Sequence, residues 1–266
     1  MSLPYHGILL FVIVTLIGAS ALGMVLHGRL GERQKSRETI VHLRLVISIL
    51  VTFTAIVLGL LLSNAKASHD AFDSRLRALG GSVVELDRRL RQYGEETAPI
   101  RANLRAYLAG AIADTWRDEP RPYGVYPTFD DAPEGVERAA LGNLLIEVDD
   151  AVRKLEPSDP FHAGLANLLE AQVTELLRQR RLAIETVHEA ISLPLLVAMT
   201  LWLAIVFGVF GLTAPRNAVV HATILVCALS FASAIFFVLD LDRPLTGLFR
   251  VSSQPALDAL RRLDTP

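Results

Sequence analysis

The chain has 266 residues, 52% of them hydrophobic and 20% charged, with a formal net charge of −2 and a mean hydropathy of +0.39. A water-soluble domain of this length carries about 25% charged residues and does not average out apolar, so a wholly soluble protein is excluded. Aromatic residues are only 7%, which leaves the apolar excess in Leu, Val, Ile and Ala, the residues that fill lipid-spanning helices.

The excess is concentrated in four uncharged runs. The first covers residues 7–26. It contains a small-x-small site at Ala19-Ser20-Ala21, as a cleaved signal peptide would, but no Lys or Arg precedes it and the apolar run continues past that point, which favours a retained helix. A basic loop follows, with Arg29, Arg33, Lys35, Arg37 and Arg44. The positive-inside rule places this loop in the cytoplasm and the rest of the polar chain outside. Lys66, Arg75, Arg77, Arg178, Arg180, Arg181, Arg243 and Arg250 gather near the opposite membrane ends and weaken that vote. The second run covers 45–62, and no breaker separates it from the pattern Phe72, Leu76, Leu79, Val83, Leu86, Leu90. Those six residues share one helix face at the spacing of helix-to-helix seams. A single rod is therefore predicted from the membrane into water, loosened at Gly80-Gly81 and ending near Gly94.

Residues 64–190 carry 16 basic and 22 acidic side chains, a formal charge of −6, and face water. After the rod, a second helix is predicted from Pro99 through Ile100, Leu104 and Leu108 to Trp116. Pro120, Pro122, Pro127 and Pro133 then make a long loop. A third helix carries Val136, Leu141, Leu145, Val148 and Val152 and stops before Pro157; a fourth runs from Phe161 to Val187 and into the third membrane run, 191–214. The fourth run, 218–239, holds the lone Cys227, so no intrachain disulfide is possible. The expected fold class is all-α: four transmembrane helices in two hairpins, 1–63 and 191–243, with a helical bundle at 64–190 inserted between the second and third, and a tail at 244–266 with a short amphipathic helix.

Chemistry-bearing patterns are sparse. The seven histidines, His6, His27, His42, His69, His162, His188 and His221, stand singly, and neither His69-Asp70 nor His188-Glu189 has the spacing that aligns two metal ligands on a helix. No nucleophile elbow or phosphate-binding glycine loop is present, and the acid pairs Asp130-Asp131 and Asp149-Asp150 read as solvated surface. No catalytic residue, no metal, no cofactor, no nucleic-acid partner and no enzymatic activity are therefore expected. The second run does carry a stripe of small and weakly polar residues, Ser48, Thr52, Ala55, Gly59 and Ser63, on one face. Such a face turns away from lipid, either to pack on a helix or to line a conduit formed by several subunits. Small clusters at Gly18 to Gly23 and at Ala228 to Ala234 are expected to pack on neighbouring helices, and His221 to anchor the start of its span. Lys66 and Asp70 at the exit of the second run, and Asp240, Asp242, Arg243 and Arg250 after the fourth, form a membrane-exit charge cluster that anchors helix ends or, in an oligomer, makes a selectivity ring.

Several segments resemble a family of bacterial membrane proteins termed bestrophin-like: Leu-Leu-Leu-Ser-Asn-Ala-Lys-Ala-Ser at 60–68, Val-Glu-Leu-Asp-Arg-Arg-Leu at 84–90 with Tyr93-Gly94, and Phe-Gly-Leu-Thr-Ala-Pro-Arg-Asn at 210–217. Leu-Asp-Leu-Asp-Arg-Pro at 239–244 and Arg-Val-Ser-Ser at 250–253 belong to the same set. The family's name marks a likeness to bestrophins, pentameric ion channels with four spans and a helical cytosolic domain between the second and third. The resemblance implies an integral protein of the bacterial plasma membrane with its domain and termini in the cytoplasm, against the first loop's charges. It also implies a homo-oligomer in a lipid bilayer that passes ions. Bestrophin pores have aromatic and aliphatic neck residues in the second span, whereas this stripe is Ser, Thr, Ala and Gly with Phe53 the only aromatic of the run. A non-conducting sensor or scaffold, whose bundle binds a ligand or protein partner, is the alternative, supported by the long rod from Phe72 to Leu90.

Overall fold

The computed structural model describes residues 5–29, 37–127, 139–187, 193–213 and 217–265. Arg33, Lys35, Asp130-Asp131, Pro133, Val136, His188-Glu189, Pro215 and Arg216, and the passage from the fourth bundle helix to the third span, lie outside the described residues, as does the His6 side chain. Eight α-helices occur among the described residues: α1 Tyr5–Arg29, α2 Arg37–Tyr93, α3 Ala98–Thr115, α4 Ala139–Arg153, α5 Pro160–Val187, α6 Leu193–Thr213, α7 Ala218–Leu241 and α8 Gln254–Asp264. Four are long and apolar enough to cross a membrane, over Gly7–Arg29, Glu38–Tyr93, Pro194–Thr213 and Ala218–Leu241. The chain is an all-α membrane protein, as its composition requires.

Two compact units arise, one from Met1–His69 with Ala190–Arg243, the other from Asp70–Glu189 with Pro244–Pro266. In the first, α1 packs against both α6 and α7, so the closest contacts join helices of different sequence pairs. Its core holds Val12 and Leu16 of α1, Leu61 of α2, Met199, Leu203 and Phe207 of α6, and Ile235 of α7. The α1–α6 crossing is backbone on backbone. A Cβ built on Gly23 would overlap the Gly208 carbonyl oxygen, and one on Gly211 would overlap the Ser20 carbonyl oxygen. Of the small residues of α1, Ser20 and Gly23 are buried in this contact while Gly18 and Ala21 are exposed, and in α7 Ala228 and Ala232 are buried while Ser230 and Ser233 are exposed. At one end of this pair the His27 Nδ1–H donates to the Leu212 carbonyl oxygen (2.7 Å). His221 lies in the first turn of α7 and donates to the Asn217 carbonyl oxygen (2.7 Å), while the Asn217 side chain caps the helix by accepting from the Val220 N–H (2.9 Å). Large apolar side chains elsewhere on the unit, among them Leu10, Phe11, Val14, Leu22 and Val25, face outward. An apolar surface of that extent needs lipid or protein against it.

The second unit is built on the water-facing half of α2. Phe72, Leu79, Val83, Leu86 and Leu90 are buried and Leu76 packs against the same core, as their spacing predicts. The helix ends at Tyr93 because Gly94 takes φ +134°, a conformation side-chain-bearing residues avoid. The expected loosening at Gly80-Gly81 does not occur, since the helix runs through both. Gly80 is buried instead where α8 crosses: a Cβ there would sit 3.5 Å from Cβ of Ala259 and 3.9 Å from the Pro255 carbonyl oxygen. Ala259, Leu260 and Leu263 place α8 in the same core as Leu104 and Leu108 of α3, Leu145 and Val148 of α4, and Leu169 and Val173 of α5.

Tyr107 of α3 is buried in this core. Burial pushes its hydroxyl up to about 12, against the opposing pull of the Arg180 guanidinium that hydrogen-bonds to it. A raised phenol pKa leaves stability unchanged below the unfolded value near 10 and lowers it as the unfolded chain ionises first, between pH ~10 and ~12. Denaturant unfolding is expected to show a loss approaching about 3 kcal/mol across that window, and Tyr107→Phe is expected to remove this part of the alkaline loss. An identical alkaline limb in Tyr107→Phe would refute the assignment.

Candidate functional site

The membrane half of α2 has two distinct faces. Ile47, Thr54, Leu61 and Ala65 are buried, and at 100° per residue they lie on one side of the helix. Ser48, Thr52, Ala55, Gly59 and Ser63 are all exposed, centred about 140° around the helix from that packed side. None of the five is buried by another described helix, and a Cβ built on Gly59 meets nothing within 4 Å. The Ser48 hydroxyl donates to the Arg44 carbonyl oxygen (2.9 Å) and the Thr52 hydroxyl to the Ser48 carbonyl oxygen (2.8 Å). With its proton committed to the helix, each oxygen presents lone pairs outward. The same face continues without a break into Lys66 and Asp70, both exposed. Phe53, 57% exposed, flanks the stripe and meets Trp202 of α6 edge-to-face at 6.3 Å.

The charges at the end of α7 and beyond it fall into different environments. Asp240 is buried, 3% exposed, Asp242 caps the helix C-terminus and is half-buried, and Arg243 is exposed. Arg250 lies further on, exposed, in the segment that leads to α8. Among the described residues no group of three or more His, Cys, Asp or Glu is placed to hold a metal ion.

The C-terminal segment is tied down at successive points within the second unit. The Val251 N–H donates to the Pro244 carbonyl oxygen (2.7 Å), closing a loop. Trp116, at the end of α3, donates its indole N–H to the Val251 carbonyl oxygen (3.0 Å), and the Ser253 hydroxyl donates to Glu119. Arg105 pairs with Asp264, and Arg91 donates to the Leu263 carbonyl oxygen (2.8 Å). Arg91 is itself held by Asp87 (2.7 Å), whose other oxygen accepts from Arg101 of α3 (2.9 Å). Asp87 is 4% exposed, and nothing in its sequence neighbourhood distinguishes it from a surface acid. Beside this clamp a pocket of about 300 Å³ opens between α2, α3, α5 and the 245–256 segment. It joins residues more than a hundred positions apart, a signal that single-sequence spacing does not carry.

A family model described as Bestrophin-like domain matches residues 14–256. Among solved structures, two single-substitution variants of a bacterial bestrophin homologue from Klebsiella pneumoniae are similar to this chain. They are 15% and 16% identical over 96% and 97% of this chain and 97% and 99% of their own, each with a TM-score of 0.60. A variant of a protein described only as a membrane protein is 15% identical over 96% of this chain and 97% of its own, with a TM-score of 0.59. At such identity the likeness shows the fold. No curated protein matches.

Proposed function

The chain belongs to the bestrophin-like family, and from that premise we propose that it is the subunit of a homo-oligomeric ion channel in the bacterial plasma membrane. The α2 helices of several copies surround the conducting axis, and the second unit forms a cytoplasmic vestibule. The observation that carries this reading is the exposed stripe from Ser48 to Ser63, continued in register by Lys66 and Asp70. A polar, small-residue face without a partner in its own chain is costly against lipid and is satisfied by water and ions at an axis. Bestrophins being ion channels adds the family's weight, and makes an enzymatic role the less economical reading.

Ion flux into liposomes carrying the purified protein tests the proposal, together with native mass spectrometry for subunit number. Wild type is expected to conduct and to run as a closed ring. Gly59→Leu, made where the chain leaves open space, is expected to keep the melting temperature within a few degrees while removing most of the flux. No conductance across a range of pH, Ca²⁺ and voltage overturns the channel. The pocket of the second unit favours a competing reading, a membrane sensor or scaffold; a monomer or dimer that conducts nothing is the result that selects it.

A further inference from the structure

We propose that the pocket of the second unit binds an uncharged amphiphile, a short aliphatic chain with a hydroxyl or carbonyl head. Its volume of about 300 Å³ stands at the lower end of ordinary ligand sites. At the ~30 Å³ that a water-sized group occupies in a liquid, the pocket accepts a guest of about ten heavy atoms, far smaller than a two-tailed phospholipid. Phe72 and Leu79 of α2 and Ile112 of α3 give it an apolar wall, against which an aliphatic chain leaves water. Six charged side chains share the lining, Asp114, Asp118 and Glu119 against Arg117, Arg180 and Arg250. Their charges cancel, so the lining offers a guest no net charge of either sign. Most of them are also engaged within the protein. Asp114 pairs with Arg117 at 2.9 Å, Glu119 accepts from the Ser253 hydroxyl, and Arg180 hydrogen-bonds the Tyr107 hydroxyl. A charged head would shed its water here without a net counter-charge, which costs more than burying a neutral one. The neutral polar groups of the lining favour the same head. The hydroxyls of Thr115, half-buried at the end of α3, and of Thr246, exposed on the loop after α7, make no hydrogen bond with any described residue. A hydroxyl both donates and accepts, so an alcohol or a carbonyl satisfies either one without bringing in charge.

Trp116 also lines the pocket and serves as its reporter. The chain's other tryptophan is Trp202 of α6, so Trp202→Phe leaves Trp116 alone to be read. ω-Bromooctanol, whose bromine quenches an indole on contact, is titrated into this full chain in nanodiscs. Saturable quenching is expected, reversed by excess octanol; probe that is merely dissolved in the lipid neither saturates nor is displaced. ω-Bromooctanoate and ω-bromooctylammonium carry the same tail, and both are expected to bind about tenfold or more weakly than the alcohol. Ala111→Leu, which fills the pocket from α3, and Thr246→Phe, which fills it from the loop, are each expected to abolish saturable quenching. Thr246 is exposed, so its variant is expected to keep the melting temperature within a few degrees and decides the matter if Ala111→Leu disturbs the core. Absence of quenching, quenching that octanol does not reverse, either charged probe binding as tightly as the alcohol, or unchanged quenching in Thr246→Phe and in folded Ala111→Leu overturns the proposal. Binding is read without any flux, so failure here leaves the channel reading standing, and a silent channel leaves this site standing.

Discussion

Gly211→Ala is expected to destabilise the membrane unit by about 3 kcal/mol, and Gly211→Leu to prevent recovery of folded protein, because even a methyl group at this position overlaps backbone. The Cβ of residue 211 would fall on the Ser20 carbonyl, whose oxygen, carbon and Cα are all within its contact range. A flexible side chain could swing aside; a carbonyl inside α1 can only move with its helix. Gly23 makes the reciprocal approach from α1 toward the Gly208 carbonyl and the Leu212 N–H of α6, so separating the helices at one glycine opens the contact at the other. In lipid the close approach of backbones is itself the main attraction between helices, with no hydrophobic term to replace it. Gly18→Leu is the control: on α1, the helix α6 packs against, it makes the same change in bulk as Gly211→Leu, with nothing within 4 Å of its Cβ. It should retain a single symmetric elution peak and a wild-type melting temperature in detergent. A Gly211→Ala protein as stable as Gly18→Leu would show that α1 and α6 do not cross as described.

Much of this architecture was written in local pattern. The four spans follow from uncharged runs long enough to cross a bilayer, and the buried face of α2 follows from the 4, 3 alternation of Phe72 to Leu90, because helix geometry converts spacing directly into a face. The stripe from Ser48 to Ser63 was legible for the same reason, and its exposure is what the chain alone adds. Glycine was the misleading signal. In sequence, Gly80-Gly81 reads as a weak point since glycine costs helix stability, yet Gly80 is buried against Ala259 and Pro255 of α8, a property of the partner and invisible in the helix that carries it. The amphipathic pattern of residues 254–264 announced a helix with an apolar face, but the core it docks on is formed by residues at 79–90 and 104–112, and no spacing rule links such separations. The Tyr107–Arg180 and Trp116–Val251 contacts were hidden likewise. Asp87 stands within Leu-Asp-Arg-Arg-Leu, where the apolar neighbours set the helix face and the acid looks like its solvated edge.

That acid is expected to be the costliest single polar deletion in the second unit. Asp87→Ala should lower stability by about 3 kcal/mol, the lower end of the cost of breaking a buried ion pair. The reason is geometric. Asp87 is 4% exposed and its two oxygens each accept from a different arginine, Arg91 on its own helix at 2.7 Å and Arg101 on α3 at 2.9 Å. Truncation leaves two like charges facing an emptied site, each only about a quarter exposed, and like charges in a poorly screened place repel. Arg91 also loses the partner that orients it toward the Leu263 carbonyl oxygen (2.8 Å), so the last turn of α8 loosens with it. Asp87→Asn keeps an acceptor oxygen without the charge and is expected to cost about half as much, since charge-assisted hydrogen bonds are roughly twice as strong as neutral ones. Glu175→Ala provides the contrast: its pairing with Arg178 at 2.6 Å holds the carboxyl down to about 2, yet the Arg178 side chain is 60% exposed, and such surface pairs contribute little. Thermal unfolding of the four proteins should rank them wild type, Glu175→Ala, Asp87→Asn, Asp87→Ala, with the first two nearly superimposed. If Asp87→Ala melts alongside Glu175→Ala, the arginines find water as readily as they found the carboxylate, and the clamp between α2, α3 and α8 is held by its apolar contacts alone.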